Sequence, residues 1–256
     1  MSVPNARIKE RKRVAPMTKL LRSKDRKVAN AVTPNGKQAS IANTFGLPAG
    51  KAYSCPGATS VCESVCYAGK LEKVFPTVKK NLLHNWELLK DSNHETMVIL
   101  LSDMISDFIA DCNKKNAPML FRIHWDGDFF NDTYTQAWKE VILNNPEIQF
   151  WVYTRVKSAA LILKDIANLS LYYSTDSENK SIGVTLKNDH GIRLAYLAKN
   201  FLIGQADMKE MIGKVGAKCP ENKKAIPLIS QQGSACVSCS LCVYSKSDIV
   251  FSATKK

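Results

Sequence analysis

The sequence predicts an α/β fold in which a parallel sheet carries its chemistry at the carboxyl edge. Strand candidates alternate with helix candidates through the middle of the chain, and polar residues recur where those strands end. The length, 256 residues with 45% hydrophobic content, suits one α/β barrel-like domain and leaves enough chain for a sizeable core.

Residues 31–75, rich in Gly, Pro, Ser and Asn, read as short strands and a ligand-bearing loop. Pro76 is placed to open a helix, with Val78, Leu82, Trp86 and Leu89 at helical spacing. A second helix spans 95–113, its apolar face running from Met97 to Cys112. Strands at 119–124, 148–154 and 169–174 then alternate with helices at 133–143 and 158–168. A weaker helix-like stretch at 191–199 and strand candidates at 201–204 and 225–230 complete the series. In such βαβ folds the functional loops lie at the carboxyl ends of the strands.

The formal charge is +13, and it is unevenly placed. Residues 1–30 hold ten Lys/Arg against Glu10 and Asp25, a net +8, which leaves +5 for the other 226 residues. Such an arm, expected to carry a short helical piece, is either a solubilising tail or a contact for DNA or RNA phosphates. No unbroken apolar run exceeds five residues, as at 97–101, so the expectation is no membrane span and no secretory signal.

The eight cysteines fall at 55, 62, 66, 112, 219, 236, 239 and 242. In a reducing cytoplasm this clustering points to metal rather than to disulfides. Cys219, Cys236, Cys239 and Cys242 follow C-x16-C-x2-C-x2-C. Thiolates at successive spacings of three crowd one tetrahedral zinc, whereas in a cuboidal iron–sulfur cluster each binds a different iron. A [4Fe-4S] cluster is therefore expected there, with zinc as the alternative. Cys55, Cys62 and Cys66 follow C-x6-C-x3-C with no obvious fourth member. Either His84, His94 or Cys112 completes the set, or one iron is left open to bind a small molecule. Cys112 itself, on the apolar helix face, reads as a core residue.

Polar residues end the central strands: His124, Asp126, Gly127 and Asp128, then Thr154 and Arg155, then Ser174, Thr175 and Asp176. Gly127 permits close backbone approach, a carboxylate complements an ammonium, and Arg155 suits a carboxylate or phosphate. The plainer reading makes the acids helix caps, His124 a core histidine and Arg155 a solvated surface residue.

A three-cysteine loop ahead of alternating strands and helices resembles the radical S-adenosylmethionine enzymes, whose signature is C-x3-C-x2-C. Here Gly69 stands where that spacing needs its third cysteine. The segments SCPGATSVCESVCYAGK, FRIHWDGDFFN and FWVYTR, with the terminal cysteines, more closely resemble the phage family called gene product eighty-eight over residues 40–245. The resemblance implies a partial (β/α) barrel of radical-SAM-like type (31–212), preceded by the basic arm (1–30) and followed by a Cys-rich cluster-binding segment (213–256). It implies one or two [4Fe-4S] clusters on Cys55, Cys62, Cys66, Cys219, Cys236, Cys239 and Cys242. S-adenosylmethionine contacts would come from Tyr67, Asp126, Gly127, Asp128, Thr154, Arg155 and Ser174, with Asp126–Asp128 at the amino group of the methionine moiety. The implied activity is a radical enzyme of unknown substrate, nucleic acid or nucleotide among the candidates, reduced by a flavodoxin or ferredoxin in the bacterial host cytoplasm. The alternatives are a non-enzymatic, metal-stapled nucleic-acid-binding protein linked to phage replication, and a zinc-stapled structural protein. A nicking enzyme is disfavoured: no His-hydrophobic-His motif is present, and Tyr134 lacks a metal partner.

Overall fold

The computed structural model describes residues 18–254. Three short strands, β1 (Asn30–Val32), β2 (Gln38–Ser40) and β3 (Thr44–Gly46), lead into helices α1 (Ser60–Val65), α2 (Tyr67–Val74), α3 (Pro76–Leu89) and α4 (His94–Lys115). Then follow β4 (Leu120–Asp126), α5 (Asp132–Leu143), β5 (Gln149–Thr154), α6 (Lys157–Leu163), β6 (Leu169–Thr175), α7 (Lys180–His190), β7 (Arg193–Ala198) and α8 (Phe201–Ile212). The last segment holds β8 (Ala217–Lys218), β9 (Ile229–Ser230), β10 (Gly233–Ser234), α9 (Ala235–Cys239) and β11 (Ile249–Ser252).

Seven strands form one parallel sheet in the order β3-β4-β5-β6-β7-β11-β8. β3 and β8 are its edges, so the sheet is open and no closed barrel forms among the described residues. The first five strands lie in chain order. Successive right-handed crossovers then place every connecting helix on the same face. The packing follows: Phe121 and Ile123, Phe150 and Val152, Leu171 and Tyr173, and Leu194 and Tyr196 join one large core with the helices α4–α8. The alternate positions Leu120, Trp151, Tyr153 and Tyr172 face the other way, against Val28, Cys236, Leu241, Cys242 and Val243. The Cys-rich C-terminal segment therefore covers the sheet face that the helices leave free.

Of the basic N-terminal segment, residues 18–30 are packed. Leu20 and Val28 are buried, and Ser23 bridges Thr44. Lys19 pairs with Asp107, Arg22 with Asp111 and Lys27 with Glu221. No helix forms in this stretch, and residues 1–17 of the arm lie outside the described residues.

Three sequence expectations are corrected. Residues 191–199 form β7 rather than a helix, because Leu194, Tyr196 and Ala198 alternate with Ala195 between two covered faces. The apolar run at 201–204 opens α8, since Asn200 accepts from the Ile203 amide and caps it. Within 225–230 only Ile229–Ser230 is extended, in a hairpin with β10.

β4 carries an irregularity that aims its last residues. Thr44 pairs with Arg122 and Gly46 with Asp126, so two steps on β3 match four on β4. His124 absorbs the excess in the left-handed region, at φ +57°. Its ring is buried, with Nε2 2.8 Å from the Tyr134 hydroxyl and Nδ1 without a hydrogen-bond partner. Burial, and then the Arg122 charge, holds its pKa down at about 3. The unfolded chain therefore takes up the proton first, and stability falls as pH drops from about 6.5 toward 3. Between pH 6.5 and 5 this loss is about 2 kcal/mol. His124→Asn, a type that tolerates the left-handed region, is expected to flatten that limb in urea titrations at pH 5 and 6.5.

Candidate functional site at the carboxyl ends of the strands

β3 ends at Gly46, and the chain turns across the sheet when Leu47 donates to the Asp126 carbonyl at 3.0 Å. The loop that follows carries the first cysteine group and seats tightly on its neighbours. A Cβ on Gly57 would lie 2.5 Å from the Arg155 carbonyl oxygen. A Cβ on Gly127, which sits at φ +81°, would lie 2.5 Å from Ser54 Oγ. Glycine at both positions is therefore a condition of loop closure.

Side chains then fasten the loop. Thr59 caps α1 by accepting from the Cys62 amide and donates its hydroxyl proton to Asp176 Oδ2 at 2.6 Å. Arg155 Nη1 donates to the same oxygen at 2.7 Å, in an ion pair whose side chains are only 9% and 0% exposed. Ser60 bonds Glu178 through both its amide and its hydroxyl. Cys66 caps α2, its Sγ accepting from the Gly69 amide at 3.3 Å. Ala49 donates to Glu72 of α2 at 2.9 Å. These contacts fix Cys62 and Cys66 over the ends of β4 to β6.

The acids at the end of β4 divide into two roles. Asp128 Oδ1 accepts from Thr154 Oγ1 and the Phe129 amide, and Oδ2 accepts from the Arg155 amide, at 2.7–2.8 Å. Thr154 Oγ1 in turn accepts from the Val156 amide. Asp128 and Thr154 are thus internal struts that tie β4 to β5, and burial still lifts Asp128 to about 6. Asp126, 3% exposed, uses Oδ1 for the Gly127 amide; no N–H or hydroxyl donor reaches its Oδ2, and its carboxyl lies within hydrogen-bond reach of Glu72. Burial, then the Glu72 carboxylate and a hydrogen bond shared with it, push the Asp126 carboxyl well above the ordinary carboxylate range. The capping alternative for these acids falls away, because Asn131 caps α5.

Tyr67 leaves Cys66 with its hydroxyl donating to the Trp125 carbonyl at 3.0 Å and Lys27 over its ring. Ser174 shares the sheet face of Tyr172, opposite the helices. Arg155 is a buried ion-pair partner rather than a solvated residue.

Cys219 follows β8, and its amide donates to the Val250 carbonyl. Cys236 and Cys239 belong to α9, with the Cys236 amide donating to the Lys27 carbonyl at 2.9 Å. Cys242 is an electrostatic neighbour of Cys219 and Cys239, and Cys236 of Cys242 and Cys219. Arg122 lies beside this group, paired with Asp25 at 2.9 Å and over the Tyr153 ring, its Nε without a partner. Burial pushes the thiols of Cys55, Cys236 and Cys242 up to about 12. Ligation would therefore release protons. All eight cysteines are free thiols, and Cys112 is buried in the helix core. Among the described residues no three His, Cys, Asp or Glu side chains converge as a single ion requires.

Sequence reasoning missed Glu72, Glu178 and Arg122, whose partners are 23, 118 and 97 positions away. Thr59-Ser60 was readable as a helix start just before Cys62. The hydrogen bonds at Asp128 make its replacement costly. Asp128→Asn turns an amide against a buried donor and is expected to cost about 2–3 kcal/mol in denaturant unfolding of the metal-free chain. Asp126→Asn is expected to cost less than about 1 kcal/mol, because it disturbs one local bond.

The described residues contain no helix long and apolar enough to cross a membrane. The family model described as gene product 88 matches residues 18–245. The Gene 88 protein of Mycobacterium phage L5 is 50% identical over 245 residues, covering 94% of this chain and all of the relative. The Gene 88 protein of Mycobacterium phage D29 is 48% identical over 246 residues, with the same coverage of both chains. No solved structure matches. With that coverage at that identity, the chain belongs to the gene product 88 family.

Proposed function

We propose that the chain is an iron–sulfur enzyme of radical S-adenosylmethionine-like type, built on a partial (β/α) barrel. The observation that carries this reading is a loop of three free thiols beside a buried carboxyl, one oxygen of which no N–H or hydroxyl donor reaches, at the carboxyl edge of a sheet with helices on one face. The donor chemistry, three free thiols in one loop and four in the C-terminal segment, is the kind iron–sulfur clusters use, each thiolate binding a separate iron.

Cys55, Cys62 and Cys66 would hold a [4Fe-4S] cluster. With one iron open, such a group supplies reductive cleavage of S-adenosylmethionine. Asp126 would accept the ammonium of the methionine moiety at Oδ2, losing to solvent the proton that burial and Glu72 keep on it in the free chain, while Gly127 lets the backbone come close. Asp128, Thr154, Arg155, Asp176 and Thr59 position the loop. Tyr67 and Ser174 would add further contacts to the same ligand. Cys219, Cys236, Cys239 and Cys242 would hold a second cluster, with zinc as the other candidate for these four. The electron would come from a flavodoxin or ferredoxin in the host cytoplasm. The net charge of +13 favours a second reading, a metal-stapled nucleic-acid-binding protein without redox chemistry.

The test is purification without oxygen, assay of iron, sulfide and zinc, and electron paramagnetic resonance of reduced protein with and without S-adenosylmethionine. The iron and sulfide of two four-iron clusters are expected, with a signal that shifts on adding the cofactor. In Cys66→Ala that response should vanish while the signal from the C-terminal group persists. Zinc alone, or a spectrum indifferent to S-adenosylmethionine, would leave the nucleic-acid-binding reading in its place.

A further inference from the structure

The junction of α2 and α3 has an unusual surface for a helix elbow. Residues 73–77 are all exposed, and two of them are large and apolar: Val74 at 65% and Phe75 at 50%. Around them stand Lys70, Lys73, Lys79 and Lys80, all exposed, and none in an ion pair among the described residues. The segment's one acid, Glu72, is turned inward, where it accepts from the Ala49 amide. Helical spacing explains the split. Ala68 and Glu72 share the inner face of α2, while Lys70 and Val74 share the opposite one. On α3, Leu82, Asn85 and Leu89 face the core and leave Lys79 and Lys80 to solvent.

We propose that this elbow is a contact for single-stranded nucleic acid, with Phe75 as a stacking platform for a base and Lys70, Lys73, Lys79 and Lys80 along the phosphates. Unopposed cations around an exposed aromatic ring provide the two forces that hold single strands, charge along the backbone and a π-face for a base. A paired duplex offers no free base face to Phe75, so a single strand is the better match. In the other basic region Lys19, Arg22 and Lys27 are already paired within the protein, and among its described residues Lys24 and Arg26 are exposed without an ion pair. The elbow also lies close to the first cysteine group: α2 starts one residue after Cys66, and its eight residues span ~12 Å. As the contact that selects the substrate of that site, the elbow rests on the enzymatic reading above. As a nucleic-acid contact it stands without it, and binding is measured without turnover.

The experiment uses the full chain purified without oxygen and fluorescence anisotropy of dye-labelled twenty-nucleotide oligo-dT and oligo-U across a salt series. Phe75→Ala is expected to weaken binding about tenfold with the salt dependence unchanged, as for loss of one stacked base. Lys73→Glu with Lys80→Glu is expected to weaken it further and to reduce the slope of log K against log salt by about 0.7 per lysine. Both changes are on the surface, and unchanged thermal midpoints would separate lost contact from lost fold. A third variant replaces Arg11, Lys12 and Arg13 with serine and is expected to bind within about threefold of the parent. The proposal is overturned if neither oligonucleotide binds, or if the arm variant loses binding while the elbow variants keep it. It is equally overturned if the elbow variants lose only affinity for anionic phosphatidylglycerol vesicles, or only self-association in sedimentation.

Discussion

The chain order of β3 to β7 is the constraint from which the rest of the molecule follows. Neighbouring strands that are also consecutive in sequence send every crossover helix to one side. That side receives a large aromatic and aliphatic core, with Trp138, Tyr134, Phe121 and Phe150 fully buried. The other side is left with Trp151, Tyr153 and Tyr172, which also need cover. Residues 25–32 and the Cys-rich C-terminal segment supply it, and Ser170 and Tyr172 fix that segment by donating to the carbonyls of Val243, Leu241 and Ser247. The two cysteine groups therefore occupy different places on one sheet, the carboxyl edge and the face turned from the helices.

At the edge, the polar residues cooperate more than their positions in sequence suggest. One carboxylate, Asp128, links the end of β4 to Thr154 at the end of β5 and to Arg155 just after it. A second, Asp176, links β6 to Arg155 and to the loop through Thr59. Removing either partner of the buried Arg155–Asp176 pair would leave a charge without compensation, a loss of about 3–5 kcal/mol. Against these satisfied groups Asp126 stands out, with no N–H or hydroxyl donor at its Oδ2 and a second carboxyl, Glu72, beside it. The bulge at His124 shifts the register of the strand end that follows it and carries Asp126, which stays buried.

Much of this was legible from residue spacing. The central strands and helices follow from alternation and period, Cys112 from its place on an apolar face, and Asp126 to Asp128 from their place at a strand end. The errors at β7 and α8 share one cause. β7 is covered on both faces and lacks a polar alternation, and α8 opens with Phe201, Leu202 and Ile203, which resemble a strand until Asn200 is recognised as a cap. α7, with Lys180, Lys187 and Asp189 interrupting its apolar positions, is too polar to stand out. The division between Asp126 and Asp128 could not be read at all. It depends on which donors from β5 lie within reach, and those come from register rather than from local sequence.

The segment covering the free sheet face has little regular structure: two-residue strands, the five-residue α9, and few buried apolar side chains. Under the proposed ligation of Cys219, Cys236, Cys239 and Cys242 its order would depend on metal, while β4 to β6 would stand without it. Hydrogen–deuterium exchange compared between the anaerobically isolated and the metal-stripped protein measures that dependence directly. The account predicts that amides of residues 213–248 lose protection on stripping while those of β4, β5 and β6 retain it. Equal protection of residues 213–248 in both forms would contradict it and make these cysteines ordinary packing residues.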